Sequence, residues 1–571
     1  MKRTTTWLVL AFALAFLAAA CASSDDTTTT QAPTTTQAAG GTDTTQATTP
    51  PDPAFEGKVV ANEGGCDAEG YNGRVNKISA IDQYTVEFDL CAPLGAFLPA
   101  IAFGVFGIQP EEHLEATGGA PLDNPIGTGP YALEEWIRGD SVVYTRNDAY
   151  YGTVAPHSTA VLQWATESAG RMLELQATPG ADGMTFPGNQ DFATIEADPD
   201  LVLLDKPEAN VFYLGMTNTF EPFDNVDVRQ AIAQGIDRQR IIDIFYPPGS
   251  EIASHFTPCS VEFGCEGESW YDFDVDAAKA LLEGAGLGDG FETSIYYRDV
   301  TRGYLPTPGD VAADVQDQLK VNLNIDAEVI VMESGEFIAA CSNAGTCDGI
   351  HLLGWTGDWP HVSNFLEPHF AETVDQFGTP YPEVYEPTVA ASATADPAVA
   401  GPLYGEANTA LKNLVPMVPI VHSGAAFGAK ANVEGAYAPP WGQVLFNNWD
   451  NGTDTVVFVQ GNEPISLYCS DETDGESLRA CAQVVEALYG YDQQGNVIPQ
   501  LATECVSNEE ATLWTCSLRQ DVLFHDGSTF DANDVIVSFT AGLDASSPLH
   551  TGNTGSWVYY ESLWNGLVNA G

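Results

Sequence analysis

Residues 210–245, NVFYLGMTNTFEPFDNVDVRQAIAQGIDRQRIIDIF, hold the transition on which the reading of the chain turns. Val211, Phe212, Tyr213, Leu214 and Met216 make a nearly continuous apolar run without proline, the pattern of a strand buried on both faces. Val228, Ala231, Ile232, Ile236, Ile241 and Phe245 then recur at helical spacing. Asp224 and Asn225 stand upstream as capping residues, and Asp227 puts a negative charge near the helix start. An extended crossing that contains Pro222 separates the two elements, and the chain on either side reads as a separate lobe.

C-terminal to this stretch the elements alternate in the manner of a parallel sheet: strand 292–297, helix 310–320, strand 325–332, a short helix, strand 349–354. Asp274 is placed to cap a helix with Val275, Ala278, Leu282 and Ala285 on one face, and Gly286 to stop it. Residues 406–414 read as helical. On the N-terminal side, Tyr84, Val86, Phe88 and Leu90 alternate as a half-buried strand. Residues 161–186 form a polar, helix-compatible segment. In residues 124–152, NPIGTGPYALEEWIRGDSVVYTRNDAYYG, Gly127 and Gly129 allow a tight turn before Pro130, and RGD followed by VVYTRN fits a hairpin. A phosphate-binding loop fails there, because no Lys follows the glycines at the required place and no helix is signalled next.

The stretches YLGMTN and PFDNVDVRQAIAQGIDRQRII resemble the strand and helix by which family 5 extracellular solute-binding proteins, the binding components of peptide and nickel importers, pass from one lobe to the other. IGTGPY, with its hairpin, and PMVPIVHS at 416–423, the strand by which the family returns to its first lobe, are similar to further family stretches. The resemblance implies a type II periplasmic-binding-protein-like α/β fold: two lobes with a cleft between them. No cofactor and no catalysis follow from it.

After Trp449, where a family member should end, the sequence resumes. TDTVVFVQGNEPISL, DGESLRACAQVVEALYGYD and LATECVSNEEATLWTCSLRQDVLFHDGSTFDANDVIVSF resemble the family's opening strand, first helix and FHDG region. Each motif occurs once, so the order reads as a circular permutation. Permutation is cheap when the original ends lie together and the new ones open an exposed loop. A truncated tandem fusion is the alternative, and it would leave each fragment short of core. The expected organisation is a signal peptide at 1–21, a tether at 22–54, lobe I from 55–215 with 431–571, of which 453–571 corresponds to the family's N-terminal part, and lobe II at 216–430.

A length of 571 residues with 44% apolar content accommodates several domains and sizeable cores. Lys2 and Arg3, the apolar run 7–20 and Ala18, Ala19 and Ala20 before Cys21 read as an export signal. Cys21 resembles the lipidated residue of a lipobox, although Leu17 lies four residues before it where the family pattern has Leu three before. Cleavage after an A-x-A motif is the alternative. Residues 22–53, rich in Thr, lack the apolar side chains needed to offset ordering and would hold the body about 30 Å from a lipid surface. The net charge of -59, from 79 acidic and 20 basic residues, opposes binding to nucleic acid or anionic headgroups. With Cys21 assigned to the anchor, ten cysteines remain as near neighbours: Cys66 and Cys91, Cys259 and Cys265, Cys341 and Cys347, Cys469 and Cys481, Cys505 and Cys516. In an exported chain these read as five local disulfides, and zinc is disfavoured by the absence of C-x-x-C or C-x-x-H pairs.

His525 and Asp526 look like a catalytic pair but read better as a strand-end turn. His351, His361, Glu367 and His369 lie within nineteen residues of one another, with spacing that matches no compact ligand motif, so no metal site is assigned. GWTGDWPHVSNF at 354–365 resembles the family's GW-D motif, which implies that Asp358 accepts a bound peptide's α-ammonium. VTRGYLP at 300–306 resembles the segment whose Arg, here Arg302, grips the ligand's carboxylate; Gly303 stands where those relatives have Pro. The implied ligand-binding set is Asp358, Arg302, Gly354, Trp355, Thr356, Thr473 and Asp474. The implied function is capture of short peptides by a monomeric, lipid-anchored protein at the cell surface or in the periplasm, and delivery to an ABC permease. The alternatives are a metal chelate or oligosaccharide as ligand, a surface sensor, and a secreted hydrolase, for which no nucleophile motif is present.

Overall fold

The computed structural model describes residues 55–570, apart from 208 and 344 and from the side chains of Asn189 and Asn343. The expected signal, tether and Cys21 lie outside these residues. Among the described residues no helix is long and apolar enough to cross a membrane.

Asn210–Met216 is the third strand of a six-stranded sheet whose order is Glu251–Ile252, Met417–His422, Asn210–Met216, Ile350–Thr356, Glu292–Arg298, Asp326–Met332. All seven of its residues are buried, and it pairs antiparallel with Met417–His422 on one side and Ile350–Thr356 on the other. The three strands expected to lie parallel, Glu292–Arg298, Asp326–Met332 and Ile350–Thr356, do so, and the antiparallel Asn210–Met216 makes the whole sheet mixed. The lobe boundary expected at 215 falls instead before Asn210, because hydrogen bonding on both edges commits that strand to lobe II. The strand expected at 416–423 to return to lobe I instead pairs with Asn210–Met216, and the returning strand is the next one, Ala425–Lys430, which pairs with Leu201–Lys206 of lobe I. The chain therefore passes between the two sheets after Lys206 and again at 423–424.

The single helix expected to reach Phe245 is two, Val226–Gly235 and Arg238–Phe245. Asn225 caps the first through the N–H of Asp227, and Asp237 restarts the second through the N–H of Arg240. Two of the three arginines of this stretch are buried and structural. Arg229 donates to the carbonyls of Val415 (2.8 Å) and Phe223 (2.6 Å), and Arg238 to those of Ala253 (2.7 Å) and Tyr271 (2.6 Å). Burying these guanidiniums is tolerable only because main-chain oxygens replace their water. Asp274 caps Val275–Gly284, and Gly286 follows at φ +78°.

Lobe I holds two larger sheets and a two-stranded ribbon of Tyr489–Tyr491 with Val497–Pro499. The seven-stranded one runs Tyr131–Ile137, Ser141–Arg146, Thr159–Trp164, Thr455–Gln460, Gly183–Thr185, Ala425–Lys430, Leu201–Lys206. Thr455–Gln460 lies in its interior, parallel to Thr159–Trp164 and to Gly183–Thr185. The five-stranded one runs Val59–Ala61, Val75–Asp82, Thr85–Leu90, Leu513–Leu518, Ala502–Ser507. Residues 161–186 contain the helix Ser168–Gln176 between the strands Thr159–Trp164 and Gly183–Thr185.

His525 and Asp526 form a turn rather than a catalytic pair. Gly127 donates its N–H to His525 Nδ1 (3.4 Å), so Nε2 carries the proton it donates to the Gly129 carbonyl (3.0 Å), while Asp526 accepts from the Ser528 N–H (2.9 Å). The FHDG turn is thus tied to IGTGPY. A Cβ on Gly127 or Gly129 would collide with the backbone at Gln483 and Val484. The ten cysteines form five disulfides, Cys66–Cys91, Cys259–Cys265, Cys341–Cys347, Cys469–Cys481 and Cys505–Cys516, the last between directly paired residues of a hairpin.

Buried ionisable groups act on stability in opposite directions as pH changes. Burial raises Glu486 and Asp534 to about 7 and Asp358 to about 6. The folded state therefore binds more protons than the unfolded one as pH falls through 7, and stability rises. Burial lowers His351 and His361 to about 3 and His369 and His422 to about 4. Below about 6.5 the unfolded chain takes up these protons instead, and stability falls. Urea denaturation at constant ionic strength should show maximal stability between about pH 6 and 7; stability that rises steadily from pH 6 to pH 8 would contradict this balance.

Candidate functional site

Ile350–Thr356 runs through the middle of the lobe II sheet and delivers Gly354, Trp355 and Thr356 to its end, with Asp358 just beyond. Gly354 is buried because no side chain fits: an added Cβ would meet the Tyr304 ring and the Val211 carbonyl. Trp355 is half-buried with its ring edge-on to His369 at 5.2 Å, and Thr356 is exposed. Asp358 is fixed from its own lobe by Asn364, whose Oδ1 accepts the Asp358 N–H (2.7 Å) and whose Nδ2 donates to Asp358 Oδ2 (3.2 Å).

The other partner of Asp358 comes from lobe I. Tyr559 stands close enough to the carboxylate to lower its pKa, and Tyr491 close enough for the negative charge to raise the phenol further. Burial lifts Asp358 to about 6, while the Asn364 hydrogen bond and the nearby Tyr559 hydroxyl hold it down. Tyr559 meets Phe103 edge to face at 4.8 Å, and the Tyr491 hydroxyl donates to the Pro99 carbonyl at 2.7 Å. Trp359 packs against the lobe I core. A cavity of about 70 Å³ opens beside this group, lined in part by Phe103, Trp441, Tyr491 and Glu486. Glu486 is buried and accepts hydrogen bonds from Thr128 Oγ1 (2.8 Å), Tyr150 (2.8 Å) and Tyr151 (3.0 Å).

Two further contacts join the lobes. Arg74 pairs with Glu367 at 3.1 Å, and Glu367 also accepts from Ser392 Oγ at 3.0 Å. The Gly95 N–H donates to the Ser392 carbonyl at 2.9 Å. Asp358 therefore sits in a seam held on both sides.

The remaining expected residues are elsewhere. Arg302 is exposed, and its guanidinium donates to the Thr301 carbonyl at 2.9 Å. The narrow turn in which Arg302 pairs with Leu305 buries Tyr304 against Gly354 and turns Arg302 to water. Thr473 is exposed, and Asp474 is a helix cap that accepts the Ser477 N–H (2.8 Å) and hydroxyl (2.7 Å). The structure brings none of these three to Asp358. His351, His361, Glu367 and His369 do not converge either: His351 stacks on Phe377, His361 bonds Ser363, Glu367 pairs with Arg74, and His369 bonds the Phe365 carbonyl. Sequence reading missed Tyr491, Tyr559 and Glu486. Only Glu486 carried a signal, as a lone acid in the apolar run VVEALYGY.

Comparison with known proteins adds to this geometry. A family model for the bacterial extracellular solute-binding proteins, family 5, matches residues 30–377 and 496–557. The chain is 29% identical over 391 residues to a dipeptide-binding protein of Escherichia coli (strain K12), covering 66% of this chain and 71% of that protein. It is 25% identical over 385 residues to heme-binding protein A of Haemophilus influenzae, covering 65% and 69%. Among solved structures, HbpA2 from Haemophilus parasuis superposes with a TM-score of 0.62 at 26% identity, covering 66% of this chain and 76% of that one. A dipeptide binding protein from pseudoalteromonas sp. SM9913 in complex with Met-Leu gives a TM-score of 0.52 at 25% identity, with the same coverage.

Proposed function

The chain belongs to the bacterial extracellular solute-binding proteins of family 5, and from that premise we propose that it captures short peptides in the seam between its lobes and presents them to its permease. It is an extracytoplasmic solute-binding protein of an ABC importer and not an enzyme. The observation that carries the peptide reading is Asp358: a carboxylate at the end of a central strand of lobe II, partly desolvated and touched by Tyr559 of the opposite lobe. Such a group accepts an ammonium, and a ligand held there contacts both lobes at once. Ligand binding then favours the joined arrangement of the lobes by its difference in affinity for the two states. Dipeptide-binding proteins among the relatives support the same ligand class.

Export as a monomeric lipoprotein, anchored through Cys21 and spaced by residues 22–54, completes the reading. The order of the chain is that of a circular permutation. In its support, Thr455–Gln460 lies between strands from residues 159–164 and 183–185, and Leu513–Leu518 pairs with Thr85–Leu90. Asn569 is hydrogen-bonded to Asn62 and Glu63, so the C-terminal segment packs beside the first strand of the body.

Native mass spectrometry of the protein as purified, followed by denaturation, should release short peptides with free amino ends. Release of a heme, a sugar or a metal chelate instead, with no binding of added di- and tripeptides, would overturn the peptide reading and leave the family untouched.

A further inference from the structure

A second cavity of about 180 Å³ lies between the lobes, lined by Pro99 and Trp514 of lobe I and by Glu262, Phe263, His361 and Tyr404 of lobe II, among others. It is large enough for roughly a dozen water-sized volumes, and so for a long side chain. Its walls combine four rings with small aliphatic residues. Phe263 and Tyr404 stack with ring centroids 5.5 Å apart, and His361 stands edge-on to them at 5.7 and 5.4 Å. Trp514, stacked on Phe97 at 4.7 Å, closes the lobe I side.

The charges of this cavity are one-sided. Glu262, an exposed residue on the cavity's rim, is a carboxylate to which no donor or cation is bonded among the described residues, and the desolvated side of its surroundings raises its pKa. His361 brings no positive charge: the Ser363 N–H donates to its Nδ1 at 3.2 Å, which puts the single ring proton on Nε2, and burial lowers it to about 3. Arg74, the nearby cation whose charge reaches Tyr404, is neutralised by Glu367 at 3.1 Å. An anion would meet Glu262 without a counter-charge. A neutral apolar group would displace water from that carboxylate and leave it unpaired. A cation satisfies both the carboxylate and the negative faces of the rings.

We propose that this cavity is a subsite for a cationic side chain, an ammonium or guanidinium on an alkyl stem, of the bound ligand. The inference rests on the peptide reading above and deepens it, since it makes lysine- or arginine-containing peptides the preferred class. Its place relative to Asp358 fits that use. His361 is three residues beyond Asp358, and Pro99, which lines the cavity, accepts the hydroxyl of Tyr491, whose phenol faces the Asp358 charge. A ligand amino end at Asp358 and a basic side chain at Glu262 would be read by two separate carboxylates.

The test uses titration calorimetry with alanine tripeptides carrying lysine, norleucine or glutamate at the first, second or third position in turn, on wild type and Glu262→Gln. At one position lysine should bind about tenfold or more tighter than norleucine, and glutamate weakest. In Glu262→Gln lysine and norleucine should agree within about twofold, with norleucine unchanged from wild type. Equal binding of lysine and norleucine at every position, with all peptides still weakened by Asp358→Ala, would overturn the subsite and leave the peptide reading standing. If no peptide binds but cadaverine does, and loses its affinity in Glu262→Gln, the subsite stands and the peptide reading falls. If neither peptides nor cadaverine bind, both fall.

Discussion

A chain in which residues 453–570 are moved ahead of Phe55 through a short flexible linker, with the chain opened between Gly452 and Thr453, should fold to the same structure, whereas a chain ending at Asn451 should not fold. The C-terminal segment already packs beside the first strand, since Asn569 donates its N–H to Asn62 Oδ1 at 3.1 Å and its Oδ1 accepts the Glu63 N–H at 2.7 Å, and the linker has only to run back along the helix Ala532–Leu543 to Phe55. The new opening lies at an exposed turn where Gly452 has φ +73°. Opening such a turn leaves the core contacts intact. The thermal midpoint should therefore stay within about 5 °C, a shift of the size that roughly 1 to 2 kcal/mol produces.

Truncation is different in kind. It removes Thr455–Gln460 from the interior of the seven-stranded sheet and two of the five strands of the other. It also strips Phe88, Phe97 and Phe106 of Phe539, Trp514 and Trp564, their ring partners at 5.3, 4.7 and 6.2 Å. Losing one buried aromatic costs about 3–5 kcal/mol, and a whole domain is stable by only about 5–15 kcal/mol. Circular dichroism and urea unfolding of the truncated chain should show no cooperative transition. A cooperative transition with a native-like spectrum would mean that residues 453–570 are an appended unit and that the permutation is wrong.

The second large effect concerns Asp358. Asp358→Ala should weaken peptide binding by about two to three decades, because a ligand ammonium left in the seam loses its counter-charge at a cost of about 3–5 kcal/mol. N-acetylation of the peptide should cause a comparable loss on wild type and little further loss on Asp358→Ala; equal binding of free and acetylated peptides to wild type would defeat the assignment. Arg302→Ala should change affinity by less than about threefold, since its guanidinium is exposed and bonded to its own neighbour. The raised Asp358 supplies a further signature. With a free-protein value of about 6, the carboxylate needed for the ammonium is lost below that pH, so affinity should fall about tenfold per unit beneath it. Acetylated peptides should show no such slope.

What the amino-acid sequence determined by itself is the local structure and its kind. The apolar run 211–216 could only be a strand buried on both faces, Asn225 and Asp274 cap the helices they precede, VVYTRN returns on the hairpin after RGD, and neighbouring cysteines join in pairs. Each of these is decided within a few residues by side-chain shape, alternation or backbone conformation. FHDG and IGTGPY were legible as turns for the same reason, but not as one knot in which His525 grips Gly129. The tertiary structure alone decided where the helix after the crossing breaks, on which side of the crossing strand the lobe ends, and what faces Asp358. Tyr559 and Tyr491 reach it from the C-terminal segment, and Glu486 collects hydroxyls from Thr128, Tyr150 and Tyr151. Those juxtapositions depend on how two lobes meet, which no periodicity records. The outward turn of Arg302 has the same origin: the motif specified the residue, while the packing of Tyr304 on Gly354 settled its direction.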